Sequence, residues 1–211
     1  AFDLEVRPPA AVKGVQGVLA HHQVVGERAV PARVGRGPLM GRDRELARLE
    51  KSWAHAHAGT LSTLGVVFRG EPGIGKSRLA AAAAELVERS GGVVLELFGS
   101  PFHTDAGLHP VRTLLERRCG IDRGTDQPDR LRLLKAEIAA RSLNPATMVP
   151  LLAPVLGIGA EAGYEPMPAA GPKLYELIAE AVQTYLIACL GDAAGLVVAE
   201  DVPWFDPSTM E

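Results

Sequence analysis

Apolar positions along the chain form two kinds of pattern. Short unbroken runs occur at Leu64 to Phe68, Val93 to Phe98 and Leu196 to Ala199. Each has strand length, so each reads as a buried strand. Elsewhere apolar residues recur every three or four positions, which predicts helices. One begins near Asp43 and ends before Gly59, with Leu46, Leu49 and Trp53 on a face. A second runs from Lys76 to Arg89 with Leu79, Ala83, Leu86 and Val87 in register, and Gly91 and Gly92 stop it. Further helices are predicted at Pro110 to Arg118, Pro128 to Arg141 and Pro172 to Leu190. The middle one aligns Leu131, Leu134 and Ile138, and Pro128 suits a first turn. Glu137 and Arg141 make a favourable pair four residues apart. The last helix aligns Leu174, Leu177, Ile178, Ala181 and Tyr185. Prolines and glycines between residues 144 and 172 predict a loop-rich connector.

Before Asp43 the pattern changes. Val15 to Val25 predicts one or two strands, with turns at Gly14, Gly17 and Gly26. Pro31 to Pro38 reads as a linker, so residues 1–34 form a separate block and residues 35–211 the main domain. Within that domain the order is strand, helix, strand, several helices, strand. This predicts an α/β fold, a parallel sheet flanked by helices, with a helical insertion before the last strand.

The junction of the first strand and its helix carries the chemistry. Gly70-Glu71-Pro72-Gly73-Ile74-Gly75-Lys76-Ser77 fits G-x-x-x-x-G-K-[ST], the phosphate-binding loop. At average residue usage the pattern arises by accident in roughly one chain of this length in a hundred. Glycines let the backbone wrap so that successive N–H groups point at anionic oxygens. The helix adds its positive N-terminal end. Lys76 places a cation on the outer phosphates of ATP, and the Ser77 hydroxyl is a Mg2+ ligand.

The third apolar run ends in two acids, Glu200 and Asp201. In phosphate-loop NTPases such a strand supplies the Walker B carboxylate of the Mg2+ shell. The expected division is Glu200 toward the metal and Asp201 as the base that takes a proton from the attacking water.

Composition narrows the field. Of 211 residues, 47% are hydrophobic and 22% charged, enough for a real core. A net charge of -3 gives no global pull toward nucleic acid or anionic membrane. Cys119 and Cys189 read as reduced thiols, and no apolar run reaches membrane-spanning length, which predicts a cytoplasmic location. The chain starts without methionine, which predicts a trimmed or partial product. His55 with His57, and His103 with His109, lack metal-site spacing. Trp204 reads as a packing anchor, and Arg112, Arg117 and Arg118 as a solvated helix face.

Several segments together resemble a known family. Pro38-Leu39-Met40-Gly41-Arg42-Asp43-Arg44-Glu45-Leu46 resembles the "hVGRExEL" segment of bacterial AAA-like signalling ATPases of the STAND class. Gly70 to Arg78 resembles their "GEaGIGKSR" loop, and Gly99-Ser100-Pro101 with His109-Pro110-Val111 their post-strand segment. Val198 to Glu211 resembles their "LEDLHWADPSTLE" stretch, with Pro203 where His is usual and Phe205 where Ala is usual. The resemblance implies a P-loop NTPase sheet of the ASCE, AAA-like kind, and an adenine edge at the backbone of Met40 and Gly41. In that group another strand comes after Walker B in sequence and inserts beside it. The fold here is therefore expected to be incomplete at its C-terminus. Residues 11–25 resemble the closing strands of a class III nucleotide cyclase, which relatives join to such ATPases, often with a LuxR-type helix-turn-helix.

Three functions stay open on this reading. The first is a switch in a signalling or transcriptional regulator that binds ATP or ADP with Mg2+ and hydrolyses weakly or not at all as this chain alone. Self-association or a signalling partner belongs to that reading; direct nucleic-acid binding by this segment does not. The second is a non-catalytic remnant or interaction module. The third, supported by the first block alone, is part of an adenylate cyclase.

Overall fold

A computed structural model describes residues 2–11, 13–15, 17–27, 39–60, 65–105 and 107–210. They form two compact units, Ala1–Met40 and Gly41–Glu211.

The first unit is an antiparallel hairpin of β1 (Phe2–Ala11) and β2 (Val18–Glu27). Leu4 pairs with Val24, Val6 with His22 and Arg7 with His21. Gly14 and Gly17 take left-handed backbone in the connection, as turns there require. Gly26 does not turn, because β2 continues through it to Glu27. The register is irregular between Arg7 and Ala10, where Pro8 and Pro9 cannot donate to a ladder. Leu4, Val6 and Val24 lie on one face, and all three are exposed.

The second unit is built on a parallel pair, β3 (Val93–Phe98) and β4 (Gly195–Glu200), with Leu95 opposite Val197 and Phe98 opposite Glu200. Against one face lies α2 (Lys76–Arg89), whose Ala80 and Ala84 pack on Val198, Val94 and Leu196. The alanines let the helix sit close to the sheet. Of the predicted face, Leu79 and Val87 are buried, while Ala80 and Ala84 rather than Ala83 meet the sheet. A helix preceding the loop, α1 (Asp43–His57), leans on α2. Its Trp53 donates from Nε1 to Ser90 Oγ at 2.7 Å. A Cβ on Gly92 would strike the Trp53 ring and Val87, so this contact needs glycine.

The other face of β3 buries Leu95 and Leu97 in the main core. Four helices between the strands complete it: α3 (His109–Cys119), α4 (Gln127–Ala140), α5 (Pro145–Val155) and α6 (Gly171–Leu190). Leu134, Ile138 and Leu152 are fully buried, each contributing roughly 1.5–3 kcal/mol of burial. Both Cys119 and Cys189 are free thiols in this core, and burial pushes the Cys119 thiol up to about 12. A short α7 (Pro207–Met210) closes the described chain.

Two expectations fail. The connector 144–172 contains α5, with Pro150 and Pro154 inside it. Proline at 150 removes one ladder bond. The helix persists because Met148, Val149, Leu151, Leu152 and Ala153 are all buried, and Asn144 caps its start through Ala146 N at 2.9 Å. The expected strand at 64–68 is also absent among the described residues: 65–70 carry no strand pairing, and Leu64 lies outside them. Val66 and Val67 are 44% and 75% exposed. A strand forms only with a ladder partner, and β4 pairs with β3 alone among the described strands. The predicted linker at Pro31 to Pro38 lies outside the described residues.

Candidate functional site

The phosphate-binding loop leads directly into α2. Gly73 and Gly75 have φ of 81° and 100°, left-handed values that favour glycine. A Cβ built on either would meet no atom within 4 Å, so it is backbone conformation and not crowding that favours glycine at these positions. Gly75 caps α2, and its carbonyl accepts from Arg78 N and Leu79 N at 3.1 Å each. The N–H groups ahead of that point have no α-helical acceptor, so the positive helix end faces the loop. Lys76 Nζ donates to Gly70 O at 2.9 Å and to Glu71 O at 3.0 Å. Its ammonium folds back over the loop, and Ser77 comes next on the first turn.

The segment before α1 reaches the same loop. Arg42 donates from Nη2 to Ile74 O at 2.8 Å and pairs through Nη1 with Glu45 at 2.6 Å. That guanidinium holds the Glu45 carboxyl below the usual carboxylate range. Gly41, just before it, is left-handed at φ 67°. Met40 is 81% exposed.

Strand β4 brings the acids to the same end of the unit. Val198 packs on Ala80 and Ala84. Side chains alternate along a strand, so Glu200 shares the α2 face with Val198. One turn before Ala80 lie Lys76 and Ser77; two residues after Val198 lies Glu200. Only three residues join α2 to β3, so α2 runs against both strands and its amino end lies toward the carboxyl end of β4. Gly99 N donates to Glu200 O at 2.9 Å. Asp201 then turns out of the strand in left-handed backbone, φ 56° and ψ 36°, with its side chain exposed.

The sequence pattern gives other residues at this end no site role. Ser100 Oγ lies 3.1 Å from His103 Nδ1. The rings of His103 and His109 stack in parallel, 4.0 Å between centroids. Burial and then His103 and Arg112 hold the His109 imidazole below its usual range. The residues are six apart across a loop, so only the folded loop brings them together. Asp206 is fully buried and accepts four hydrogen bonds from two segments. Its sequence signal is the "DPST" run, an acid two positions before Ser and three before Thr, which suits a helix cap.

Two expectations about side chains are corrected. Trp204 is 48% exposed, and its neighbour Phe205 packs on the core instead. The arginines of α3 are not a simply solvated face. Arg118 pairs with Glu137 at 3.3 Å, Arg112 with Glu116 at 3.0 Å, and Arg117 donates to Glu96 O at 2.8 Å.

A family model for the AAA ATPase domain matches residues 38–211. The chain belongs to the AAA ATPase domain family. No curated protein and no solved structure gives a match. The family match covers the loop, α2, the helical insertion and β4, all in the second unit. This AAA ATPase domain is therefore an ATP-binding module of the P-loop α/β kind. Among the described residues, no helix is long and apolar enough to cross a membrane.

Proposed function

We propose that the chain is the Mg2+–ATP-binding switch module of a cytoplasmic signalling ATPase of the STAND class. The observation that carries this reading is the convergence of the glycine loop, the amino end of α2 and the Glu200 face of β4. The donor set fits a hard cation. A Ser77 hydroxyl and a Glu200 carboxylate are oxygen ligands, and Mg2+ takes only one or two from protein beside phosphate and water. When bound, Mg2+ supplies charge neutralisation on the outer phosphates.

The residues divide the remaining work. The backbone from Gly70 to Gly75 donates N–H groups to the phosphates. Lys76 exchanges its two carbonyl contacts for phosphate oxygens. The backbone at Met40 and Gly41 borders the adenine, as the family resemblance assigns it. Arg42 ties that segment to Ile74, so a change in the loop is felt at α1. This linkage supports a switch. Asp201 is the base for hydrolysis, and turnover by this chain is weak. A second observation favours that weakness: β4 has no partner on its far edge among the described residues, and 65–70 form no strand. Among the described residues, α2 joins loop and acids, and no strand pairing adds to it.

Lys76→Ala tests the reading by calorimetry with ATP and with ADP. The substitution removes charge-assisted hydrogen bonds worth about 1.5–3 kcal/mol, or roughly a ten- to hundredfold loss of affinity. Equal affinity in both proteins would remove the loop from nucleotide binding. A non-catalytic remnant or interaction module would show at most weak nucleotide affinity and no turnover.

A further inference from the structure

We infer that Asp206 is a positioning residue for the acids at the end of β4. The inference rests on the reading that Glu200 and Ser77 flank a Mg2+–nucleotide complex. Glu200 and Asp201 lie at the end of a strand, so their placement depends on the segment from Val202 onward. Asp201 occupies left-handed backbone without being glycine, a conformation that costs about 1 kcal/mol and persists only when its surroundings impose it.

Three anchors impose it. The first is a 3-10 turn over Val202–Trp204, closed by Trp204 N donating to Asp201 O at 2.8 Å. The second is the end of β3. A Cβ on Gly99 would collide with the Asp201 carbonyl and reach the Phe205 ring, so β3 presses the turn from one side. The third is Asp206. Its Oδ1 accepts from Leu108 N at 2.8 Å and Thr209 N at 3.1 Å. Its Oδ2 accepts from His109 N at 3.2 Å and Thr209 Oγ1 at 2.7 Å. Each carboxylate oxygen thus joins the segment after β4 to the start of α3, nearly a hundred residues away in sequence.

Leu108 is itself left-handed, at φ 59°. One buried carboxylate therefore ties together two segments that each contain a strained non-glycine residue. Burial pushes this carboxyl upward, and the bonds from Thr209, Leu108 and His109 outweigh it, leaving it below the ordinary carboxylate range. The charged form is the one the fold selects. No other charged side chain is fully buried among the described residues. The Ser100–His103–His109 group moves with the same anchor, because His109 N is one of its donors.

The test measures ATP affinity of the full chain with excess Mg2+ and with EDTA. The wild type is expected to bind more tightly with Mg2+, and Glu200→Gln to lose most of that gain. Asp206→Ala should lose about tenfold in the Mg2+ condition, the size seen for residues that orient metal ligands from outside the coordination shell. Its affinity in EDTA should stay within about twofold of wild type. A merely structural role would lower both affinities alike. Asp206→Asn keeps the shape and one good acceptor, so it should fall between, and it decides the matter if Asp206→Ala does not fold. A wild type without Mg2+ dependence, or an unaffected Glu200→Gln, overturns the metal-site reading. If those two behave as expected and the Asp206 variants keep the full Mg2+ gain, or lose affinity equally in both conditions, the positioning role is overturned.

Discussion

Glu137→Gln probes the helical insertion that carries the carboxyl end of the sheet. Glu137, on α4, is 10% exposed and joins three helices through Oε1. That atom accepts from Tyr185 Oη of α6 at 2.9 Å, from Arg118 Nε and Nη2 of α3 at 3.3 Å, and from Arg141 Nε at 3.2 Å. The amide is isosteric and still accepts from Tyr185, so the loss is the charge beneath two guanidinium groups. Breaking a buried ion pair costs about 3–5 kcal/mol. Here Arg118 and Arg141 are 26% and 31% exposed, so water recovers part of their solvation. The expected loss is therefore nearer 2 kcal/mol, the range of a hydrogen bond to a charged group. With a urea m-value of about 2 kcal/mol/M, the midpoint falls by roughly 1 M. Urea unfolding monitored by far-UV circular dichroism measures it. A shift under about 0.25 M with an unchanged slope would mean that the three helices are held by apolar packing alone, and the polar hub would lose its assigned role.

Alkaline pH and turnover give two more tests. The Cys119 thiol is raised from 9.0 to about 12, chiefly by burial. Its contribution is whole below pH 9 and is lost as pH rises toward 12, because the unfolded chain releases the proton first. The unfolding free energy should fall between pH 9 and 11 by up to about 1.4 kcal/mol per pH unit, which lowers the urea midpoint by up to roughly 0.7 M per unit. A Cys119→Ala chain with the same alkaline slope would refute this. Steady-state phosphate release by the 211-residue chain should stay at background, and turnover that Asp201→Ala abolishes would show a competent site.

The parts of the fold legible in the sequence are those set by local pattern. Residues 93–98 and 76–89 are marked by an unbroken apolar run, an alanine-rich helical stretch and glycine stops, and these elements lie where the pattern puts them. The helix at Pro145–Val155 shows the limit of local pattern. Its prolines carry a strong local signal against helix, and burial of five apolar side chains overrides it. The site shows the same division. The loop is contiguous in sequence, so its residues can be named. Asp206 draws its meaning from Leu108 and His109, and the imidazole pair from a folded loop. Neither juxtaposition has a spacing that a linear reading can detect.

Residues 64–68 are a different kind of case, because local pattern and structure disagree where partnership decides. The run Leu-Gly-Val-Val-Phe has strand composition, yet 65–68 remain unpaired with Val66 and Val67 exposed. Val197, on β4, is also 43% exposed. Among the described residues, the 65–68 segment has no ladder partner and β4 has one on a single side, a condition that buried parallel sheets do not tolerate. The two acids end β4, and the phosphate loop follows residues 65–70. Among the described residues no shared ladder fixes their separation. A strand pairing with both segments would bring the loop and β4 into one sheet and fix Lys76 against Glu200 and Asp201. Without it, α2 is the described element that touches both, through Ala80 and Ala84 on one side and its own N-terminus on the other. Binding can draw on the loop alone, since its N–H groups and Lys76 are local. Hydrolysis needs the acids within about 1 Å of their working position, where a misplacement costs on the order of a hundredfold. Under the proposed function, affinity should therefore follow the loop and turnover the placement of the acids, so that the two are separable by experiment.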